Sequence, residues 1–188
     1  MSYLIIATWD DNNRPTKINT RDTKEDAQNL VDHLKNELGY AGVFYTEHPG
    51  SEDSRYLTVD PDAKTVTFDG GRRTVDRLLP YLSDYRWQVE TGGIEVNNMP
   101  VHTDRDAQAK LTAARIVAKE DNIYSVRWKV ADGSFHTLDA DTIIAVADAV
   151  RGHVEAAFAA EADTEAEIGD GTLTSESQVK SRFDELMP

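Results

Sequence analysis

The sequence predicts an α+β protein made of two small lobes. Three observations lead to this class: strand-like apolar runs near the N-terminus, one amphipathic helix among them, and hairpins combined with helices in the second half. The chain has 188 residues, enough for one well-packed domain or for two small ones. We expect a first lobe at residues 1–69, a helical connector at 70–92 and a second lobe at 93–188.

The first lobe is predicted to be a sheet of about four or five strands with one packed helix. The run from Tyr3 to Trp9 is typical of a strand, and residues 55–68 predict a hairpin around a polar turn. A helix follows Thr23, its expected N-cap, and ends at Gly39. The apolar stripe that this helix must bury comprises Ala27, Leu30, Val31, Leu34 and Leu38.

The connector begins where Gly70 and Gly71 break the strand pattern. A stretch rich in leucine and aromatic residues follows up to Glu90, and Pro80 interrupts it, so we expect a bent helix. Its aromatic side chains either pack against a lobe or form an exposed docking patch. Core packing is the favoured alternative, because exposed apolar patches are rare.

The second lobe opens with a tight hairpin at Asn97 and Asn98, since asparagine tolerates positive φ. Thr103 is the expected N-cap of the next helix. Strict alternation of apolar and polar residues then predicts a second hairpin at 124–137. The apolar face of the helix between the two hairpins comprises Ala107, Leu111, Ala114 and Val117.

An alanine-rich helix of about thirty residues is predicted from Asp139, its N-cap, to Ile168. At a rise of 1.5 Å per residue it would be roughly 45 Å long, more than so small a lobe can cover. Its first half should lie in the core, whereas its second half should protrude and contact a partner. A last short helix after Thr174 carries further apolar residues. The expected oligomer or partner interface consists of Val150, Val154, Phe158, Ile168, Phe183 and Leu186.

The charge of the chain limits its partners. There are 34 acidic and 20 basic residues, a net charge of −14 that repels phosphate backbones and anionic lipid headgroups. We therefore expect no nucleic-acid and no membrane binding. No apolar stretch approaches the roughly 18–20 residues of a membrane span, and the N-terminal apolar run lacks the basic region of a signal peptide. These features predict a soluble protein synthesised in a cytoplasm.

The sequence contains no recognisable catalytic or cofactor-binding constellation. Cysteine is absent, which excludes disulfides, thiolate metal ligands and cysteine nucleophiles. The five histidines lack the spacing of a metal site, and the glycine pairs at 70–71 and 92–93 belong to no phosphate-binding motif. We expect no catalytic residues, no metal site, no cofactor and no enzymatic activity. A hydrolase built on a pair of carboxylates stays open as a minor alternative.

Several separated blocks of the second lobe carry a resemblance to a known family. They are residues 93–101 (GIEVNNMPV), 103–105 (TDR), 128–129 (WK), 132–133 (DG), 138–140 (LDA) and 147–150 (ADAV). In this order they are similar to an uncharacterised C-terminal domain of tailed-bacteriophage tail-fibre-associated and minor structural proteins, over about residues 91–168.

The resemblance implies a non-enzymatic structural component of the virion, made in the bacterial host cytoplasm and placed in the phage tail at its fibre, baseplate or tip region. Its partners would be other phage tail proteins and further copies of the same chain, a homo-oligomer joined through the long helix. A tail-fibre assembly chaperone that is absent from the mature virion is the first alternative. A hydrolase acting on host-surface polymer is the second. No catalytic role transfers with the resemblance, because that family has no established activity.

Overall fold

Both halves of the chain combine helices with short antiparallel strands, which confirms the predicted α+β class. The computed structural model describes every residue, Met1–Pro188. The chain divides into two units, Met1–Thr74 and Val75–Pro188, and the boundary lies within a helix. Most of the stretch assigned to a separate connector, residues 70–92, thus belongs to the second unit.

The first unit is built on a central strand that is buried on both faces. Its elements are β1 (Tyr3–Trp9), β2 (Pro15–Arg21), α1 (Lys24–Asn36), β3 (Phe44–Glu47), β4 (Leu57–Asp60) and β5 (Thr65–Phe68). The antiparallel sheet has the order β2-β1-β3. Side chains alternate along β1, so Ile5 packs with residues of α1, whereas Leu4 and Ile6 pack with residues of β4. The predicted helix packs on this sheet, but the five strands form two sheets, because β4 and β5 pair only with each other.

The second unit combines helices with two separate hairpins. Its elements are α2 (Gly70–Thr91, most of which lies in this unit), β6 (Ile94–Val96), β7 (Met99–Val101), α3 (Arg105–Glu120), β8 (Ser125–Lys129), β9 (Phe135–Asp139), α4 (Ala140–Gly169) and α5 (Glu176–Leu186). Helix α2 continues through Pro80, although proline lacks the amide hydrogen that would bond to the carbonyl of Asp76. The proline therefore removes one backbone hydrogen bond without ending the helix.

Local sequence signals fix the ends of several elements. Asn97 and Asn98 form the two-residue turn of the β6–β7 hairpin with φ angles of 50° and 60°, as predicted. Asp139 is the N-cap of α4, also as predicted, and its side chain accepts a hydrogen bond from the amide of Thr142. This hydrogen bond lowers the pKa of the Asp139 carboxyl.

Two predicted N-caps are displaced by one residue. Helix α3 is capped by Asp104 rather than Thr103, and α5 is capped by Ser175 rather than Thr174. The hydroxyl of Thr103 is fully buried and accepts a hydrogen bond from the amide of Gly93 at 2.9 Å, so it serves the contact with the residues before β6 and not the first turn of α3. In each helix the side chain of the next residue accepts a hydrogen bond from an amide of the first turn instead.

The first core of the second unit lies between the two hairpins, α3 and the first half of α4. Helix α4 is apolar on nearly all sides here, and Ile143 and Val146 expose no more than 1% of their surface. This half of the helix is core, as the sequence predicts. The buried residues are Met99, Val101, Leu111, Ala114, Ala118, Val130, Leu138, Ala140, Ile143, Val146, Ala147 and Val150.

The second core lies between α2, α5 and the second half of α4, and it corrects the expectation that this half protrudes. Ala157, Ala160 and Ile168 expose at most 2% of their surface. They pack with Leu78 and Leu82 of α2, the segment that sequence reasoning treated as a connector. Ala157 and Ala160 are small, so a neighbouring helix can approach α4 closely at these positions. The apolar residues in this half of α4 therefore form a contact within the protein. The other buried members are Leu173, Val179 and Phe183.

A buried charge cluster joins α2 to α4 and α3. The Nε atom of Arg86 lies 3.1 Å from a carboxylate oxygen of Glu161, and a second guanidinium nitrogen bonds to Glu90. Gln108 of α3 donates to the carbonyl of Thr103 at 2.7 Å and reaches Glu90 at 3.4 Å. The side chain of Arg86 is 14% exposed, that of Glu90 10% and that of Glu161 19%. Removing one partner of a buried ion pair leaves an uncompensated charge and typically costs about 3–5 kcal/mol.

Polar contacts near the surface fasten α5 to α2 and α4. The Tyr85 hydroxyl donates to Asp184 at 2.5 Å, and Lys180 donates to both of these side chains at 2.6 Å. Arg182 pairs with Glu167 at 2.8 Å. Burial opposes ionisation of Asp184, but the hydrogen bonds from Lys180 and Tyr85 outweigh it and hold the pKa of that carboxyl below its usual value. Each exposed pair contributes little to the free energy of folding, so the main effect of these contacts is to orient α5 on α2 and α4.

Replacing Thr164 by valine should stabilise the second unit. The Thr164 hydroxyl is fully buried in α4 and has no hydrogen-bond partner. Valine keeps the shape and removes the unsatisfied group, so the free energy of unfolding should rise by roughly 1 kcal/mol. Chemical denaturation followed by circular dichroism measures this change.

The matched control is Thr103→Val, which removes an equally buried hydroxyl that accepts the Gly93 amide. It should lower the free energy of unfolding by about 1–2 kcal/mol, because the amide loses its partner. Equal destabilisation by the two substitutions would contradict the assignment of Thr164 as the unsatisfied group.

Candidate interaction surface

Three of the six residues predicted to form an interface lie inside the protein's own cores. Val150 belongs to the first core and is 2% exposed, and Ile168 and Phe183 belong to the second core at 1% and 0%. Their side chains have no surface left for a partner. Their apolar character is therefore explained by folding of the second unit.

The other three predicted interface residues reach the surface. Phe158 exposes 50% of its surface, and Val154, one helical turn earlier on α4, is half-buried. Leu186 is also half-buried and packs against the second core at the end of α5. The structure thus brings Val154 and Phe158 together on one stripe of α4, as the spacing of four residues predicts.

A groove between α3 and α4, which we call the α3–α4 groove, extends this stripe. It has a volume of about 340 Å³. Leu111 of α3 and Ala147 of α4, both members of the first core, contribute apolar atoms to it. Val154 also lines the groove, and Phe158 lies one helical turn further along α4, outside the lining. Its lining residues are Gln108, Leu111, Thr112, Arg115, Ala147, Val150, Arg151, Val154 and Glu155.

Charged side chains along the α3–α4 groove neutralise one another. A guanidinium nitrogen of Arg115 lies 2.8 Å from Asp148, and Arg151 lies 2.7 Å from Glu155 and 3.7 Å from Asp148. The hydrogen bond with Glu155 raises the pKa of Arg151. The result is an apolar strip bordered by paired charges, the pattern of an apolar centre and a polar rim that protein–protein interfaces share.

Phe158 is anchored on one side and open on the other. The guanidinium carbon of Arg86 lies 4.6 Å from the centre of the Phe158 ring, a cation–π contact with the same arginine that pairs with Glu90 and Glu161. The next residue of α2, Trp87, is 55% exposed. An aromatic ring held in place by a buried cation offers a rigid apolar contact at low entropic cost.

Sequence periodicity misplaced one residue of α3. The periodicity predicts Val117 on the apolar face, yet Val117 is 43% exposed, and its neighbour Ala118 is buried instead. The true stripe runs through Leu111, Ala114 and Ala118 at spacings of three and four residues. Ile116, at 56% exposure, is a further apolar surface residue that sequence reasoning missed. Ala118 is hard to place from the sequence, because alanine is common on both faces of helices.

The histidines and acidic residues form no group of three or more that could hold a metal ion. His153 instead uses a ring nitrogen to contact the carbonyl of Val89 at 2.9 Å, which links α4 to α2. His136 contacts Ser134 within the β8–β9 hairpin. Even α4, with 30 residues, lacks the hydropathy of a membrane-spanning helix, and so do the other helices.

The comparison with known families gives one result for this chain. Neither curated proteins nor solved structures gave a match. Residues 74–181 match a family described as a domain of unknown function, DUF4376. The match begins one residue before the second unit, includes both of its cores apart from the last residues of α5, and covers more than half of the chain. The chain therefore belongs to the DUF4376 family.

Proposed function

We propose that the protein is a non-enzymatic structural component of a tailed-phage virion. We place it in the tail, at the fibre, baseplate or tip region, where it acts in assembly and attachment through protein–protein contacts. The blocks that resemble phage tail proteins, between residues 93 and 150, all fall inside the matched residues 74–181. Support for the proposal thus comes from the part of the chain that defines its family.

The residues of these blocks serve the fold in this structure. Gly93 has a φ of 90°, which favours glycine, and Asn97 forms the hairpin turn. Asp104 and Asp139 cap the two helices of the first core. Shared blocks that build a scaffold agree with a structural role, in which the surface of the scaffold contacts other proteins.

The observation that carries the proposal is the α3–α4 groove together with Phe158. A half-exposed aromatic ring beside an apolar strip loses solvent contact when a partner covers it, and each Å² of apolar surface removed from water contributes about 25 cal/mol. The charges at the groove are already paired, so a partner need not supply counter-charges. We infer that another copy of the chain or a neighbouring tail protein covers this surface.

Mass spectrometry of purified particles tests the virion assignment. The particles are those of the tailed phage whose genome encodes the chain, separated from host lysate on a density gradient. We expect the protein in intact particles at a fixed ratio to the major tail proteins. Its presence in infected-cell lysate combined with its absence from particles would instead favour the assembly chaperone, and would contradict the structural role.

Self-association through Phe158 is tested by light scattering over a range of concentrations. We expect the purified protein to form oligomers, and Phe158→Gln to weaken their association by roughly tenfold, the effect of losing about 1.4 kcal/mol. Glutamine keeps helix propensity, so the monomer should stay folded. The control is Ile123→Gln, which alters an 86% exposed apolar residue outside α4. A wild-type monomer at all concentrations, or equal effects of both substitutions, would contradict this surface as the contact.

A further inference from the structure

Cationic side chains that are far apart in the sequence line one pocket of the second unit. Arg105 and Lys110 come from the first turns of α3, and Arg127 and Lys129 come from β8. The pocket, which we call the basic pocket, has a volume of about 650 Å³, within the usual range for small-molecule sites. Its lining residues are His102, Asp104, Arg105, Asp106, Ala107, Lys110, Arg127, Trp128 and Lys129.

The basic pocket has a positive local charge, although the chain as a whole is negative. Its lining contains four cationic residues and two carboxylate residues, an excess of two positive charges in a protein of net charge −14. Salt screens charges beyond about 8 Å, so an anion in the pocket experiences mainly these nearby groups.

The carboxylates of the basic pocket leave most of its cations without a partner. Asp104 accepts the amide of Ala107 as the N-cap of α3, and Asp106 lies 3.9 Å from Lys110 in an exposed pair. Arg105, Arg127 and Lys129 form no ion pair with any carboxylate of the chain, although acidic residues outnumber basic ones. Because Asp104 already occupies the N-terminus of α3, a bound anion would be held by the cationic side chains rather than by the helix end.

The β8–β9 hairpin fixes the position of two of these cations. Alternation along β8 places Arg127 and Lys129 on the exposed face, and it directs the half-buried Trp128 to the first core. Phe135, the partner of Lys129 in the hairpin register, is 60% exposed. Its ring centre lies 5.5 Å from the guanidinium carbon of Arg127 and 5.9 Å from the ammonium nitrogen of Lys129. One exposed ring therefore contacts both cations and favours, by a weak interaction each, positions in which they lie near each other.

We propose that the basic pocket binds a phosphate monoester, as in a sugar phosphate or a nucleoside monophosphate. A phosphate monoester carries close to two negative charges at neutral pH, which matches the excess of the pocket. The two arginines offer planar sets of donors suited to phosphate oxygens. A long polyanion fits less well, because most of its charges would lie over a surface that is negative overall.

Isothermal titration of the full chain with thymidine 5′-monophosphate tests the proposal. We expect saturable binding that weakens as salt is added, and no binding of thymidine, which lacks the phosphate. The double variant Arg127→Ala with Lys129→Ala should bind at least roughly tenfold more weakly. The matched control is Lys119→Ala, which removes an exposed cation of α3 outside the pocket and should leave binding unchanged. Circular dichroism of each variant checks that the hairpin is folded.

A second titration distinguishes two sources of the phosphate group, a free small molecule and the end of a polymer. Oligothymidylates with a 5′-phosphate and with a 5′-hydroxyl are titrated in parallel. Binding of only the phosphorylated form supports the phosphate monoester as the recognised group and identifies a polymer end as a usable source. Equal binding of both forms, tighter with length, would overturn the proposal in favour of strand recognition. The proposal would also be overturned if thymidine monophosphate did not bind, or if Lys119→Ala weakened its binding as much as the double variant does. None of these outcomes depends on whether the protein is part of a virion.

Discussion

The guanidinium of Arg86 is the contact on which the second unit depends. It pairs with Glu90 on its own helix and with Glu161 on α4, and all three side chains are more than four-fifths buried. Burying charges is unfavourable unless each has a partner, so the cluster is stable in only one relative position of α2 and α4. That position also places the ring of Phe158 over Arg86. The same constraint thus sets the helix packing and the geometry of the candidate surface.

The length of α4 follows from this arrangement. A thirty-residue helix serves two cores in succession, first with α3 and the hairpins and then with α2 and α5. Each half buries its apolar residues against its own set of neighbouring elements. Gln108 of α3 reaches Glu90, so the polar cluster also links the elements that surround each core. The family match over residues 74–181 agrees with this physical unit, because it contains the parts that bury each half of α4.

Sequence reasoning succeeded where a signal is local and failed where it depends on distant contacts. The turn at Asn97 and the cap at Asp139 follow from backbone preferences and hydrogen bonds within a few residues. The burial of Ile168 depends on α2, about eighty residues earlier, and periodicity of a single helix cannot identify the segment that covers it. Three of the six residues predicted for the interface are therefore buried. The shared face of Val154 and Phe158 was predictable, because Phe158 follows Val154 by one turn of the helix.

The basic pocket illustrates the same limit. Arg105 and Arg127 are separated by the whole of α3, and the acidic composition gives no hint that they meet. Overall charge describes long-range repulsion, whereas a pocket acts through groups within a few Å. The net charge of the chain consequently argues against binding of extended polyanions, but it does not argue against binding of small anions. Helix α3 contributes to the basic pocket with its first turns and to the α3–α4 groove from Gln108 to Arg115.

Hydrogen–deuterium exchange of the purified protein tests most directly whether both halves of α4 are packed. Amides of residues 157–168 should exchange as slowly as those of residues 143–150, because both halves are buried and open only when the second unit unfolds. Residues 75–91 of α2 should show the same protection. Fast exchange of residues 157–168 beside slow exchange of residues 143–150 would contradict the account, since it would show a free arm in place of a second core.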